Sequence, residues 1–125
     1  MRRMSCFTVA TMALLLGSAA IAQQRGDWVL AQWQGGVYWF PGVVESRTRD
    51  TVTINYDDGT RETRPINQVK IYDWHVGSRV ECRWAGGSDW YAGRITSMHP
   101  GGSKISIAYD DGDREQTTTA MCRSR

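Results

Sequence analysis

The chain carries one segment twice. WQGGVYWFPGVV…VTINYDDGTRET returns as WAGGSDWYAGRI…ISIAYDDGDREQ, so any fold it adopts has to be built from two copies of one small unit. Gly26 and Gly77, Trp33 and Trp84, Trp39 and Trp90, Gly42 and Gly93, and Val44 and Ile95 each lie 51 positions apart (77 − 26). From Tyr56-Asp57-Asp58-Gly59 and Tyr109-Asp110-Asp111-Gly112 through Glu62 and Glu115 the spacing is 53 (109 − 56). Two extra residues therefore enter the second copy between the matched blocks, where a hairpin loop tolerates them. What both copies keep is mostly aromatic, glycine and Asp-Gly.

The N-terminus reads differently from the repeats. Met1-Arg2-Arg3 gives a basic start, Phe7 to Leu16 is apolar except for Thr8 and Thr11, and Ala20-Ile21-Ala22 is a small-x-small cleavage site. The pattern predicts a secretory signal peptide over 1–22, cut after Ala22. The apolar run is short for a membrane span, and export to the periplasm or the extracellular space is the expected location.

Export changes the charge account. Without Arg2 and Arg3 the 15 basic residues become 13, which balance the 13 acidic ones. A neutral chain lacks the net basic footprint of a nucleic-acid binder, so nucleic acid is an unlikely partner. Of those remaining cations only Lys70 and Lys104 are Lys; the others are Arg, which stacks on aromatic faces and pairs carboxylates through two parallel hydrogen bonds.

After cleavage 103 of the 125 residues remain, two units of roughly fifty, and units of that size are marginal alone. Packing one on the other, or a covalent staple, offsets this. Cys6 leaves with the signal, and the remaining pair, Cys82 and Cys122, reads as a disulfide in an oxidising compartment.

Residue preferences predict an all-β structure. In the first copy the expected strands are Trp28 to Gln34, Val37 to Ser46, Thr51 to Tyr56, Arg61 to Pro65 and about Gln68 to Ile71. In the second they are Arg79 to Trp84, Asp89 to Met98, Lys104 to Tyr109, Arg114 to Thr118 and Ala120 to Arg123. Five short strands per copy cannot leave long open edges, and a small barrel is the economical solution. Asp58-Gly59 and Asp111-Gly112 suit the tight hairpin between strands three and four. Gly42 and Gly93, inside the second strand, suggest a bend or the close approach of a neighbouring strand. The units are expected at 23–72 and 73–125, joined through Tyr72 to Val76 without a Pro/Ser-rich linker, with Trp74 as a wedge between them.

Each copy resembles a Tudor domain of the SH3-like barrel class. The resemblance rests on a Gly-x-x-Val-x-Ala/Cys-x-Trp first strand, a Trp-aromatic-x-Gly second strand and a Tyr-Asp-Asp-Gly turn followed by Glu, over Gly26 to Lys70 and Gly77 to Arg123. It implies two tandem five-stranded barrels after the signal peptide. It also implies an aromatic cage for a methylated Lys or Arg, held by cation–π attraction. Carried over, the cage positions are Trp33, Phe40, Tyr56 and Asp58 in the first copy and Trp84, Tyr91, Tyr109 and Asp111 in the second. A further aromatic that often follows the Asp-Gly is replaced by Thr60 and Asp113, so each cage has one wall fewer.

The same residues admit a plainer reading. A barrel of about fifty residues needs bulk, and Trp28, Trp39 and Trp90 also suit core filling or end covering. Neighbouring Asp residues on a tight turn point apart, and Asp is a standard turn former. His75 and His99 sit in a linker and a Pro-Gly-Gly loop, outside any nucleophile or zinc pattern. No enzymatic activity, cofactor or metal is expected.

Two function classes remain. One is a non-enzymatic binding module of the cell envelope or secreted space, its aromatic pockets receiving a cationic or methylated peptide group. The other is a structural or assembly spacer without a small ligand. Nucleic-acid binding is a weaker third. Export would separate the protein from the usual Tudor partners, histone tails and methylated RNA-binding proteins.

Aligning the copies also sharpens the disulfide. Cys82 stands where Ala31 stands in the first strand, and Cys122 where Val69 stands in the last. First and last strands are neighbours in a closed five-stranded barrel, which brings the two side chains within bridging distance.

Overall fold

The computed structural model describes residues 23–125, and the expected signal peptide at 1–22 lies outside the described residues. The first five strands are β1 (Trp28–Gln32), β2 (Trp39–Arg47), β3 (Thr51–Tyr56), β4 (Arg61–Pro65) and β5 (Val69–Ile71). They form one antiparallel sheet in the order β4-β3-β2-β1-β5. The second set is β6 (Arg79–Arg83), β7 (Trp90–Met98), β8 (Lys104–Tyr109), β9 (Arg114–Thr118) and β10 (Cys122–Arg123), with β10-β6-β7-β8-β9 as its order. In both, the last strand returns to pair with the first, and the sheet curls into an SH3-like barrel.

Alternation explains the strands. In β3, Val52, Ile54 and Tyr56 are buried while Thr51, Thr53 and Asn55 are not; in β8, Ile105, Ile107 and Tyr109 repeat the pattern. Burying each Val or Ile stabilises the barrel by about 1.5–3 kcal/mol. In the long strands β2 and β7, Gly42 and Gly93 lie where the facing strand comes closest. A Cβ added at Gly42 would stand 2.6 Å from the Asn55 carbonyl oxygen, and one at Gly93 2.7 Å from that of Ala108, so the facing strand leaves room only for glycine. One residue beyond Val44 and Ile95 each strand carries a bulge. The inserted residues fall in the loop after β7, 99–103, which is longer than its counterpart after β2, 48–50.

Gly59 and Gly112 hold φ of +92° and +96° at the Asp-Gly turns. Asp58 Oδ1 accepts the Thr60 N–H at 2.9 Å, and Asp111 Oδ1 accepts that of Asp113 at 2.9 Å. Cys82 lies directly opposite Cys122 in the β6–β10 ladder, and the two are joined as a disulfide inside the second barrel. For a separation of 40 residues, chain entropy gives this link roughly 4 kcal/mol.

The barrels pack on one another. Leu30 points out of the first barrel and is fully buried in one cluster with Trp74, Val80 and Cys82, with Trp39 and Tyr72 packed against it. Its counterpart in the second barrel, on the outward face, is Glu81, which pairs with Arg123 at 2.8 Å. Trp74 is the wedge between the units, its indole N–H donating to Ser124 Oγ at 3.1 Å. Past β10, Ser124 and Trp39 exchange two backbone hydrogen bonds of 2.7 and 3.0 Å, which join the sheets. Of the three Trp residues suited to core filling, Trp39 and Trp90 are half-buried, Trp39 against this junction. Trp28 is 46% exposed and lies edge-on to Tyr72, because its position on β1 faces outward.

The paired turn aspartates have diverged with this packing. Asp110 is held by two hydrogen bonds of 2.7 Å from Arg79, which lowers its carboxyl below the usual range. In the first copy that Arg position is Trp28, and Asp57 instead accepts the hydroxyl of buried Thr119 from the other barrel at 2.5 Å. Desolvation there pushes Asp57 up, more than the Thr119 bond pulls it down. A raised carboxyl makes its stabilising contribution below the unfolded value and loses it as pH rises through the folded one. Asp57→Asn keeps an oxygen for Thr119 without the charge, and its stability at pH 7 is expected to equal or exceed that of the wild type. That advantage should shrink towards pH 4. Asp57→Ala, which orphans the Thr119 hydroxyl, is expected to cost about 1–2 kcal/mol. Thermal unfolding of the three proteins at both pH values checks this.

Candidate functional site

Both sets of cage positions converge. Trp33, Phe40, Tyr56 and Asp58, with Thr60, line a pocket of about 330 Å³ on the first barrel. Trp84, Tyr91, Tyr109 and Asp111, with Asp113, line one of about 160 Å³ on the second. Trp33 stands edge-on to Tyr56 with centroids 5.5 Å apart, and Trp84 to Tyr109 at 5.7 Å. Tyr91 adds a third ring, 6.5 Å from Tyr109 at 89°.

Local chain geometry sets these rings. After β1 and β6 the backbone makes a tight turn at Trp33–Gly35 and Trp84–Gly86, in which Gln34 and Ala85 take φ of 51° and 52°. Neither is a residue that adopts the left-handed region freely. The strain is offset by the Glu that recurs after each Asp-Gly. Glu62 accepts the Gln34 N–H at 3.0 Å and the Tyr56 hydroxyl at 2.7 Å; Glu115 accepts the Ala85 N–H at 2.8 Å and the Tyr109 hydroxyl at 2.6 Å. One carboxylate thus fixes two walls, the turn that carries Trp33 or Trp84 and the Tyr beside it. Burial first, and the facing Glu second, raise both phenols well above the usual tyrosine range. The rings therefore stay neutral at any physiological pH.

The two pockets differ in their surroundings. The second is a pocket of one barrel, with Trp84 and Tyr91 exposed by 42% and 46% and with two carboxylates and no basic group in its lining. The first lies at the junction, and its remaining lining comes from the second barrel: Arg83, Trp90 and Arg123. Trp90 stands edge-on to Phe40 at 6.1 Å. An aromatic from the neighbouring barrel thus adds to a cage that Thr60 leaves one wall short. These contributions were outside the reach of the repeat alignment, which treats each copy alone; the visible signal was that Arg83 precedes Trp84 where Gln32 precedes Trp33.

A third cleft, of about 390 Å³, runs between the barrels, with Trp28, Tyr72, Asp57 and the Gly101-Gly102 loop among its walls. The inserted residues therefore build one side of it. Burial pushes the Tyr72 phenol up to about 12. Among the described residues no three His, Cys, Asp or Glu side chains stand together as a metal site. His75 is engaged locally, its ring nitrogen 2.9 Å from the Asp73 carbonyl oxygen.

If Glu115 fixes both walls, Glu115→Ala should destabilise the protein by about 1–3 kcal/mol and disorder the second pocket while leaving the first intact. Chemical denaturation gives the first quantity. Red-shifted Trp emission in Glu115→Ala, absent when Trp84 is already replaced by Phe, reports the second.

No family model and no curated protein matches the chain. Among solved structures it is similar to the crystal structure of ADCP1 tandem Agenet domain 3-4, at 15% identity and a TM-score of 0.41, over 87% of this chain and 84% of that one. It is also similar to Arabidopsis thaliana AGDP1 AGD34, at 15% identity and a TM-score of 0.42, over 87% of this chain and 86% of that one. The fold itself follows from strand order and register, and by these the described residues are a tandem pair of SH3-like barrels.

Proposed function

We propose that the chain is a non-enzymatic binding module that works after export, and that the pocket of the second barrel receives a methylated or quaternary ammonium group carried by a peptide. The observation that carries this reading is the lining of that pocket: three aromatic side chains, two carboxylates and no cation. A methylated ammonium loses little hydration on entering and gains attraction from each ring face, about 0.5–2 kcal/mol per contact. Asp111 and Asp113 add long-range attraction, screened by salt. The small volume suits a single headgroup, with the rest of the peptide outside. Export follows the basic start, apolar run and Ala20-Ile21-Ala22 of the sequence. The alternative, a spacer without a ligand, draws support from the backbone bridge between Trp39 and Ser124, which makes the two barrels one block.

Titration with peptides containing trimethyllysine, or with choline, is expected to quench Trp fluorescence saturably. Trp84→Ala should weaken binding by about two- to thirtyfold, the range of one cation–π contact. Raising the salt should weaken it further. Absence of saturable quenching in the wild type up to millimolar ligand would favour the spacer. For export, the protein secreted by its native host is expected to begin at Gln23, and an intact mass that retains 1–22 would refute it.

A further inference from the structure

The two pockets are copies in sequence but not in charge. Arg83 and Arg123 both stack on Trp90, at 4.8 and 4.1 Å from the ring centre, and both line the pocket of the first barrel. Arg123 is neutralised by Glu81, with bonds of 2.8 and 3.0 Å. Arg83 is exposed and has no carboxylate partner among the described residues. Across the pocket, Asp58 spends Oδ1 on the turn, accepting from the Thr60 N–H and hydroxyl, and its other oxygen is open. Trp33, Phe40 and Tyr56 lie on the same barrel as Asp58. A simple cation would be attracted to that wall and repelled by Arg83. A simple anion would meet the reverse.

We propose that this junction pocket takes a small zwitterion, a quaternary or methylated ammonium joined by a short link to a carboxylate. The ammonium lies against the aromatic wall and Asp58, and the carboxylate accepts hydrogen bonds from the Arg83 guanidinium. Its volume of about 330 Å³ admits a whole small molecule, whereas the pocket of the second barrel fits a headgroup. Arg83 lies over the Trp90 ring, a contact that restrains its side chain and lowers the entropy lost on binding. The inference rests on the reading of the aromatic pockets as ligand sites, but its test does not use the second one.

In protein carrying both Trp84→Ala and Tyr91→Ala, which takes two of the three rings from the second pocket, three probes of one shape separate the charges. These are glycine betaine, choline, and 3,3-dimethylbutanoate, in which carbon replaces the ammonium nitrogen. Calorimetric or fluorescence titration should give glycine betaine at least about fivefold tighter binding than either of the others. Adding Arg83→Gln should abolish the preference over choline, and Arg83→Lys should restore part of it. Choline binding as tightly as glycine betaine, or indifference to Arg83→Gln, overturns the proposal, as does the absence of saturable glycine betaine binding at millimolar concentration. Choline or trimethyllysine binding that vanishes with Trp84→Ala and Tyr91→Ala, with no glycine betaine binding left, overturns this proposal alone. Glycine betaine binding that survives Trp84→Ala and Tyr91→Ala, with no cation binding in the wild type, overturns the reading of the second pocket alone.

Discussion

Three consecutive residues at the end of the chain hold the molecule together. Cys122 is drawn into the second barrel by its bond to Cys82 and by pairing with β6. Arg123 projects to the other side, where it pairs with Glu81 and lies over Tyr38 at 3.6 Å and Trp90 at 4.1 Å. Ser124 leaves the ladder to bridge Trp39 of the first barrel and to accept from Trp74. The alternation of an extended chain thus joins three tasks in sequence: closing a barrel, facing the junction pocket and docking the barrels. Each small barrel alone buries a modest core, so the docking is part of the stability and not an ornament on it.

Duplication followed by docking explains where the copies differ. An outward position on the first strand is Leu30 where it meets the other barrel and Glu81 where it meets solvent with Arg123 beside it. The turn aspartate is salt-bridged as Asp110 and hydrogen-bonded to buried Thr119 as Asp57, and its acidity moves in opposite directions in the two places. Positions that serve each barrel's own core and turn stay alike: Val52 with Ile105, Ile54 with Ile107, Tyr56 with Tyr109, Glu62 with Glu115. A last-strand cation over a second-strand Trp is also kept, as Lys70 over Trp39 at 4.7 Å and Arg123 over Trp90.

Much of this was legible in the residues. The ranges of β3, β4, β8 and β9 match those expected, because alternation and Asp-Gly turns bound them on both sides. The first strands end earlier than expected, at Gln32 and Arg83, since the turns that follow place Gln34 and Ala85 in a conformation their side chains do not advertise. What permits that conformation is Glu62 or Glu115, about thirty residues away, and local preference carries no record of a partner so distant. The cage positions came from resemblance and fall in two pockets, but the neighbour that completes the first was hidden, since nothing in one repeat states which face it turns to the other. The disulfide was accessible because register within a barrel follows from the alignment alone.

A ligand in either pocket acts on a different equilibrium. One bound in the second pocket touches a single barrel and stabilises that fold. One bound in the first touches Trp33 and Tyr56 on one side and Arg83 on the other, so it stabilises the docked pair over any state in which the barrels part. Linkage makes this reciprocal: whatever loosens the Trp39–Ser124 bridge weakens that ligand by the same factor as the ligand strengthens the bridge. The Cys82–Cys122 bond fixes the strand from which Ser124 extends, so oxidation of the second barrel and occupancy of a pocket on the first draw on the same contact. The first pocket is therefore a property of the docked pair, and the second a property of its own barrel.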